Sequence, residues 1–335
     1  MLARLPKAEL HVHLDGCLRS ETMIELASEA GIELPSRTRD GLAQAMVARG
    51  AHNLEEYLQR YRYTVSLMQR RAAIERIAYE FVVDVARENV RVVEVRFCPA
   101  LHTPAIKASE AVEAALDGFS RGAAETGCRV GLIVCALRTL SPDVSEEMAR
   151  LAVAYRTAGV VAFDLAGAEF GHAAKDHASA FAIAHDYGLP CTCHAGEADG
   201  PDSLRQALYL CGADRIGHGT RLREDPELEE YVCRQRIPLE ICLTSNVHTR
   251  AVSKLADHPL RHYFDRGCVV TLNTDGRLID GVTLSDEYWA AHVELGFTRG
   301  EIDRLVLNAF ESLFMPKDEK ARLVSEIRAE LTALR

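Results

Sequence analysis

Apolar positions in this chain recur in two rhythms, and the order of those rhythms predicts the fold. Short runs with a strand-like character fall at 8–16, 91–99, 129–138, 160–167, 190–197, 215–220, 238–246 and 268–276. Helix-length stretches lie between them, for example at 109–126, 145–157, 175–187 and 201–211. Eight strand signals alternating with helices predict an α/β fold of the (β/α)8 TIM barrel kind, with extra helices after strand 1 and at the C-terminus. An open doubly wound sheet is the competing arrangement. No internal repeat, linker or low-complexity tract interrupts residues 1–335, which read as one domain.

The longest connection follows the first strand. A helix over 19–30 is opened by Ser20 and closed by Gly31. Residues 32–52 are less regular, and Asn53 then caps a helix with Leu54, Tyr57, Leu58, Tyr61 and Val65 on one face. This segment is too long for a simple barrel connection, so part of it is expected to fold over the mouth of the site as a lid.

Composition narrows the function classes. A formal net charge of −10, with no basic run, repels phosphate backbones and anionic lipid, which argues against nucleic acid or a membrane as partner. The N-terminal MLARLPKAEL lacks the apolar core of a secretory signal, and no apolar run approaches the roughly 18 residues needed to span a bilayer. The ten cysteines form no CxxC pairs, and Cys98, Cys135, Cys242 and Cys268 read as free thiols buried in strand-like runs. A reducing cytoplasm is the expected location. The sequence carries no sign of oligomeric state.

The chemistry lies at the strand ends. In AELHVHLDG, Leu10, Val12 and Leu14 alternate with His11 and His13, so both imidazoles project from one face, about 7 Å apart. An HxH alone is more often two ordinary histidines. In a barrel, however, active groups sit at the carboxyl ends of the strands, and those ends here hold a consistent set. They are His11, His13 and Asp15, then Asp164, His194 with Glu197, His218, Ser245 with Asn246, and Asp275. Three imidazoles and a carboxylate from His11, His13, His194 and Asp275 suit one catalytic Zn2+, which lowers the pKa of bound water to about 7. Glu197 then serves as a proton shuttle, and His218 orients the nucleophile or stabilises its charge. Glu94 and Arg96 share the inward face of the second strand and are expected to form a salt bridge on the barrel floor. Histidines elsewhere, including His102, His248, His258 and His262, read mostly as structural.

Together HVHLDG, ERIAYEF with VEVRF, DLAG, HAGE, RIGHGT, TSN and NTD resemble the adenosine deaminase family of metal-dependent amidohydrolases, in order over nearly the whole chain. The resemblance implies that His11, His13, His194 and Asp275 bind one Zn2+, that Glu197 protonates purine N1 and that His218 positions the attacking hydroxide. It further implies that Asp15 meets the ribose 5′-hydroxyl, that the Gly167 backbone contacts N3, and that His13 also faces the substrate. Leu58 and Tyr61 resemble the apolar pocket wall. The implied partner is a small purine nucleoside, adenosine or 2′-deoxyadenosine, deaminated to the inosine-type product.

Two departures bear on the substrate. The family usually has a second aspartate after the strand-eight ligand, contacting N7, where this chain has Gly276 and then Arg277; the usual AGDE reads AGAE, with Ala168. A modified adenine nucleoside such as aminodeoxyfutalosine is therefore an alternative, and a non-catalytic nucleoside-binding barrel another. If N7 recognition is what was lost, Gly276→Asp is expected to tighten adenosine, unless Arg277 or Asp280 already supplies the contact. Free adenine fits less well, because relatives acting on it resemble HxHxEG. A binuclear site would need a lysine where the fourth strand ends DLAG, and cytidine-type deaminases need a PCxxC that is absent.

Overall fold

The computed structural model describes residues 2–103 and 105–334. Among the described residues, eight strands form two four-stranded parallel sheets. The first holds β1 (Lys7–His13), β2 (Val90–Phe97), β3 (Arg129–Leu137) and β4 (Val160–Ala166). The second holds β5 (Thr192–Ala195), β6 (Arg215–His218), β7 (Leu239–Ile241) and β8 (Val270–Leu272). Parallel strands need crossovers, and helices supply them on the outside, as the alternating rhythms require. Two seams join the halves into a barrel. The Phe163 amide donates to the Pro190 carbonyl at 3.0 Å, linking β4 to β5. Across the other seam, the Asp275 amide donates to His11 O at 3.0 Å and the His13 amide donates to Asp275 O at 2.7 Å. Asn273 Oδ1 reinforces that seam, accepting from the amides of Leu10 (2.8 Å) and His11 (3.2 Å).

Outside the barrel, Gly118 and Gly122 on the helix Ala108–Thr126 let it lie against the helix Arg71–Arg87. A Cβ at Gly118 would come 2.3 Å from Glu75 O, so any side chain there would drive the two helices apart.

Several expectations are corrected. The strand signals at 238–246 and 268–276 overran, because the chain leaves the ladder after three residues in each case. Ser245 and Asn246 consequently sit in a short helix, Leu243–His248, rather than at a strand end. Residues 39–46 form a helix within the stretch read as irregular. Cys268 is joined to Cys233 rather than free; their Cα atoms are 4.2 Å apart. Glu94 and Arg96 are both buried but are not partners. Residues i and i+2 on one strand are about 7 Å apart, whereas inward side chains of facing strands meet more closely. Arg96 therefore pairs with Asp164 and Glu240, each at 2.9 Å, and Glu94 with Arg215 at 2.6 Å, which also reaches Glu240 at 2.6 Å. Removing one member of such a set leaves a charge unpaired and costs about 3–5 kcal/mol.

Candidate active site

The ligand atoms of His11, His13, His194 and Asp275 all lie within 4.8 Å of one another at the barrel mouth. Backbone placement explains how residues so far apart converge. β1 contributes two imidazoles from one face, β5 contributes His194, and the segment after β8 returns Asp275 beside them across the seam. His13 Nε2 is 3.2 Å from His194 Nε2 and 3.3 Å from Asp275 Oδ1. Asp275 and His218 adopt left-handed backbone conformations, φ 61° and 63°. A non-glycine residue rarely accepts this, at a cost of about 1–3 kcal/mol, and such strain clusters at functional sites.

Each group is held from behind. His11 Nδ1 is 2.8 Å from Glu240 Oε2, and His194 Nδ1 is 3.2 Å from Asp164 Oδ2, so both rings turn Nε2 toward the centre. Ser245 donates to Asp275 Oδ2 at 2.6 Å. Burial keeps His13 well below the ordinary histidine range and also lowers His194, leaving neutral rings with lone pairs to offer. At His11 burial and the Arg96 charge act downward, but the carboxylates of Asp275 and Glu240 outweigh them.

His218 is oriented by a relay that sequence reasoning missed. The Leu260 amide donates to His258 Nδ1 (3.0 Å), which puts the His258 proton on Nε2, 3.1 Å from Asn246 Oδ1. Asn246 then turns its NH2 to His218 Nδ1 at 3.0 Å. The chain of donors fixes His218 with its proton on Nε2, aimed at the centre and 3.5 Å from Glu197 Oε2. Burial, then the neighbouring His11, holds His218 well below its usual range. His258 and His248, read as structural, both take part in this shell; His248 Nδ1 is 2.8 Å from Asp280 Oδ1.

Glu197 is buried, and its Oε1 has no hydrogen-bond partner. Burial, with the nearby charges of Asp275 and Glu169, raises its pKa well above the usual carboxyl range. Its loop is fixed by Glu169, another residue missed. The two Glu169 oxygens accept from the amides of Gly196 (2.7 Å), Glu197 (2.9 Å), Ala198 (2.6 Å) and Asp199 (3.1 Å), and from Ser203 Oγ (2.5 Å). The only sequence hint was a carboxylate surviving in AGAE beside the altered Ala168.

A cavity of about 470 Å³ opens above these groups, lined by His13, Asp15, Gly167, Ala168, Glu197 and His218. Asp15 presents a buried, unpartnered Oδ1, and burial lifts its pKa to about 7. The roof comes from the segment expected to form a lid. It is two short helices, Leu54–Leu58 and Tyr61–Leu67, broken near residue 59, and Leu54, Tyr57, Leu58, Tyr61 and Val65 all face the cavity. Asn53 caps the first, accepting from the Glu56 amide at 2.8 Å. Arg277 points away, toward Glu9 and Glu88, and so supplies no contact in the cavity.

The adenosine deaminase family model matches residues 6–330. This chain belongs to the adenosine deaminase family. It is 39% identical to the adenosine deaminase of Mycobacterium marinum, covering 97% of this chain and 95% of that protein. It is likewise 39% identical to a probable adenosine deaminase of Dictyostelium discoideum, of which it spans 42%. Among solved structures, adenine deaminase from Arthrobacter aurescens superposes with a TM-score of 0.91 at 28% identity, covering 98% of this chain and 99% of that one. An amidohydrolase from Burkholderia ambifaria with bound Zn does so with a TM-score of 0.90 at 25% identity, covering 99% and 92%. As a family member the chain is a hydrolase that deaminates a purine. Among the described residues, no helix is long and apolar enough to cross a membrane.

Proposed function

We propose that His11, His13, His194 and Asp275 hold one Zn2+, that Glu197 and His218 carry the proton and charge work, and that the substrate is adenosine or 2′-deoxyadenosine. The observation that carries this reading is the donor set itself: four ligand atoms converge, and the buried His11 Nε2 makes no hydrogen bond, lying 3.6 Å from Asp275 Oδ1, an arrangement a cation between them satisfies. Three imidazoles and one carboxylate suit zinc. When bound, such an ion supplies Lewis-acid activation of water near neutral pH. Since the ligands come from both halves of the barrel, the whole chain acts as one catalytic domain.

The chain's own residues do the rest. Glu197, kept uncharged by burial, gives its proton to ring N1, which makes C6 more electrophilic. The carboxylate left behind takes one proton from the attacking water and passes it to the departing amine, then takes the second water proton from the C6 oxygen, which leaves C6=O and restores the acid. His218, with its Nε2–H fixed by Asn246 and His258, donates to the oxygen that becomes O6. One water is consumed, the C6–N bond breaks, a C6–O bond forms and ammonia leaves. Asp15 takes the ribose 5′-hydroxyl and the Gly167 backbone meets N3, which favours a nucleoside over the free base.

The test is turnover of adenosine, 2′-deoxyadenosine, adenine and modified 6-aminopurine nucleosides, read as ammonia release, with metal content measured on the same sample. The nucleosides should react, with about one zinc per chain, and chelation should abolish activity until zinc is restored. Undiminished activity in metal-free protein would overturn the reading. The modified nucleosides are included because Gly276 and Ala168 leave two positions without the usual carboxylates.

A further inference from the structure

Next to Asp275 a side chain is lacking, and its space is filled from the lid. A Cβ on Gly276 would lie 2.8 Å from the Tyr61 hydroxyl, 3.2 Å from the Tyr57 hydroxyl and 3.1 Å from Ile279 Cβ. A Cβ on Gly16 would stand 2.9 Å from the same Tyr61 hydroxyl. The two approaches to Tyr61, both under 3.0 Å, are closer than real Cβ contacts come, so its phenol occupies a cradle that two glycines leave open. An aspartate placed at Gly276 would have to displace this hydroxyl before making the contact expected of it.

The cradle faces the reaction centre. Tyr57 and Tyr61 both line the cavity, and the Tyr61 ring meets His13 edge to face with centroids 6.3 Å apart. Tyr57 is anchored, donating to Asp280 Oδ2 at 2.8 Å, and Asp280 is held in turn by His248. With the single Tyr57 proton committed to Asp280, the Tyr61 proton is not needed there and is available to an acceptor in the cavity. Glu197 approaches from the β5 side, whereas Tyr61 stands by Gly276 at the β8 side. N1 and N7 of a purine lie on opposite sides of the C6 amino group, so a base with N1 at Glu197 turns its N7 edge away from Glu197, toward the side where Tyr61 stands.

We propose that Tyr61 is a specificity-determining residue whose hydroxyl donates a hydrogen bond to N7 of the base, from the lid rather than from the barrel. This rests on the reading of the substrate as a 6-aminopurine nucleoside. The probe is 7-deazaadenosine, which carries C–H where adenosine carries N7. The unaltered protein should favour adenosine in kcat/KM by roughly 3- to 10-fold, the worth of one net hydrogen bond. In Tyr61→Phe that preference should vanish, through loss on adenosine alone, with zinc content unchanged. Gly276→Ala, whose methyl displaces the hydroxyl, should lose the same preference, and adding it to Tyr61→Phe should remove nothing further. If Tyr61→Phe keeps the original ratio while adenosine is still deaminated, this inference is overturned and the functional reading stands. If the unaltered protein deaminates no 6-aminopurine nucleoside, both fall.

Discussion

The two halves of the barrel are built differently. β1 to β4 run for seven to nine residues each and hydrogen-bond to one another over most of that length. β5 to β8 run for only three or four, and the chain leaves β5, β6 and β8 through left-handed residues, Gly196, His218 and Asp275, as it leaves β4 through Gly167. What the second half lacks in ladder it makes up with buried side chains bonded to backbone. Glu169 grips the loop after β5, Tyr263 donates to the carbonyls after β6 at 3.1 Å, and Glu287 accepts from the Leu243 and Thr244 amides after β7. A ladder fixes a strand but points its side chains on a strict alternation; a side-chain clamp can hold an irregular turn that aims one group at a chosen point. The first half supplies rigidity and two histidines, and the second supplies direction.

The sharpest way to break this contrast is Glu197→Gln. It should keep zinc and the fold yet lower kcat by at least about 10³-fold, since the amide cannot shuttle a proton; near-normal ammonia release would remove Glu197 from its role. Glu169→Gln tests the clamp without touching substrate. Its NH2 would face donors that now find an acceptor, so kcat should fall by roughly 10- to 100-fold with zinc retained and KM little changed. An unaltered kcat would show that the loop holds itself. The smallest effect belongs to the first half. His102, beyond β2, has its pKa lowered by burial to about 4. The unfolded chain binds this proton more readily, so the stability it contributes is complete above about pH 6.5 and drains away as pH falls toward 4, by about 3 kcal/mol at most. His102→Leu should flatten that part of a denaturation-versus-pH curve while leaving kcat at neutral pH unchanged; an identical slope would remove His102 as the cause.

This division also decides what could be read from the sequence. β2 to β4 follow their apolar runs within a residue or two, because run and ladder end together there, whereas the run at 8–16 outlasts β1 by the turn Leu14–Gly16. Beyond β7 and β8 burial continues through residues such as Ser245, Asn246 and Asp275, which are buried for another reason: they form the site or brace its groups. Periodicity reports burial, and there burial outlasted the strand. The groups at the strand ends stood out because histidines and carboxylates interrupt apolar runs at a regular place. Glu169, Asn246, His258 and Glu240 act only through other residues, and their distances to those partners are set by the closure of the barrel. Glu240 looked like an ordinary acid in PLEICL, yet it braces His11 and completes the charge set on the floor.

That floor has a consequence for traffic. Arg96 and Glu240 fill the axis of the barrel with no exposed surface, and below them the Arg215 guanidinium stacks 3.6 Å from the Phe314 ring centre, so the lower end is plugged. With the lower end closed, reactants reach the centre from the mouth, through the cavity bordered by the helices Leu54–Leu58 and Tyr61–Leu67. The roof helices therefore border the same opening that substrate, water and product use, so a change in the roof touches access as well as recognition.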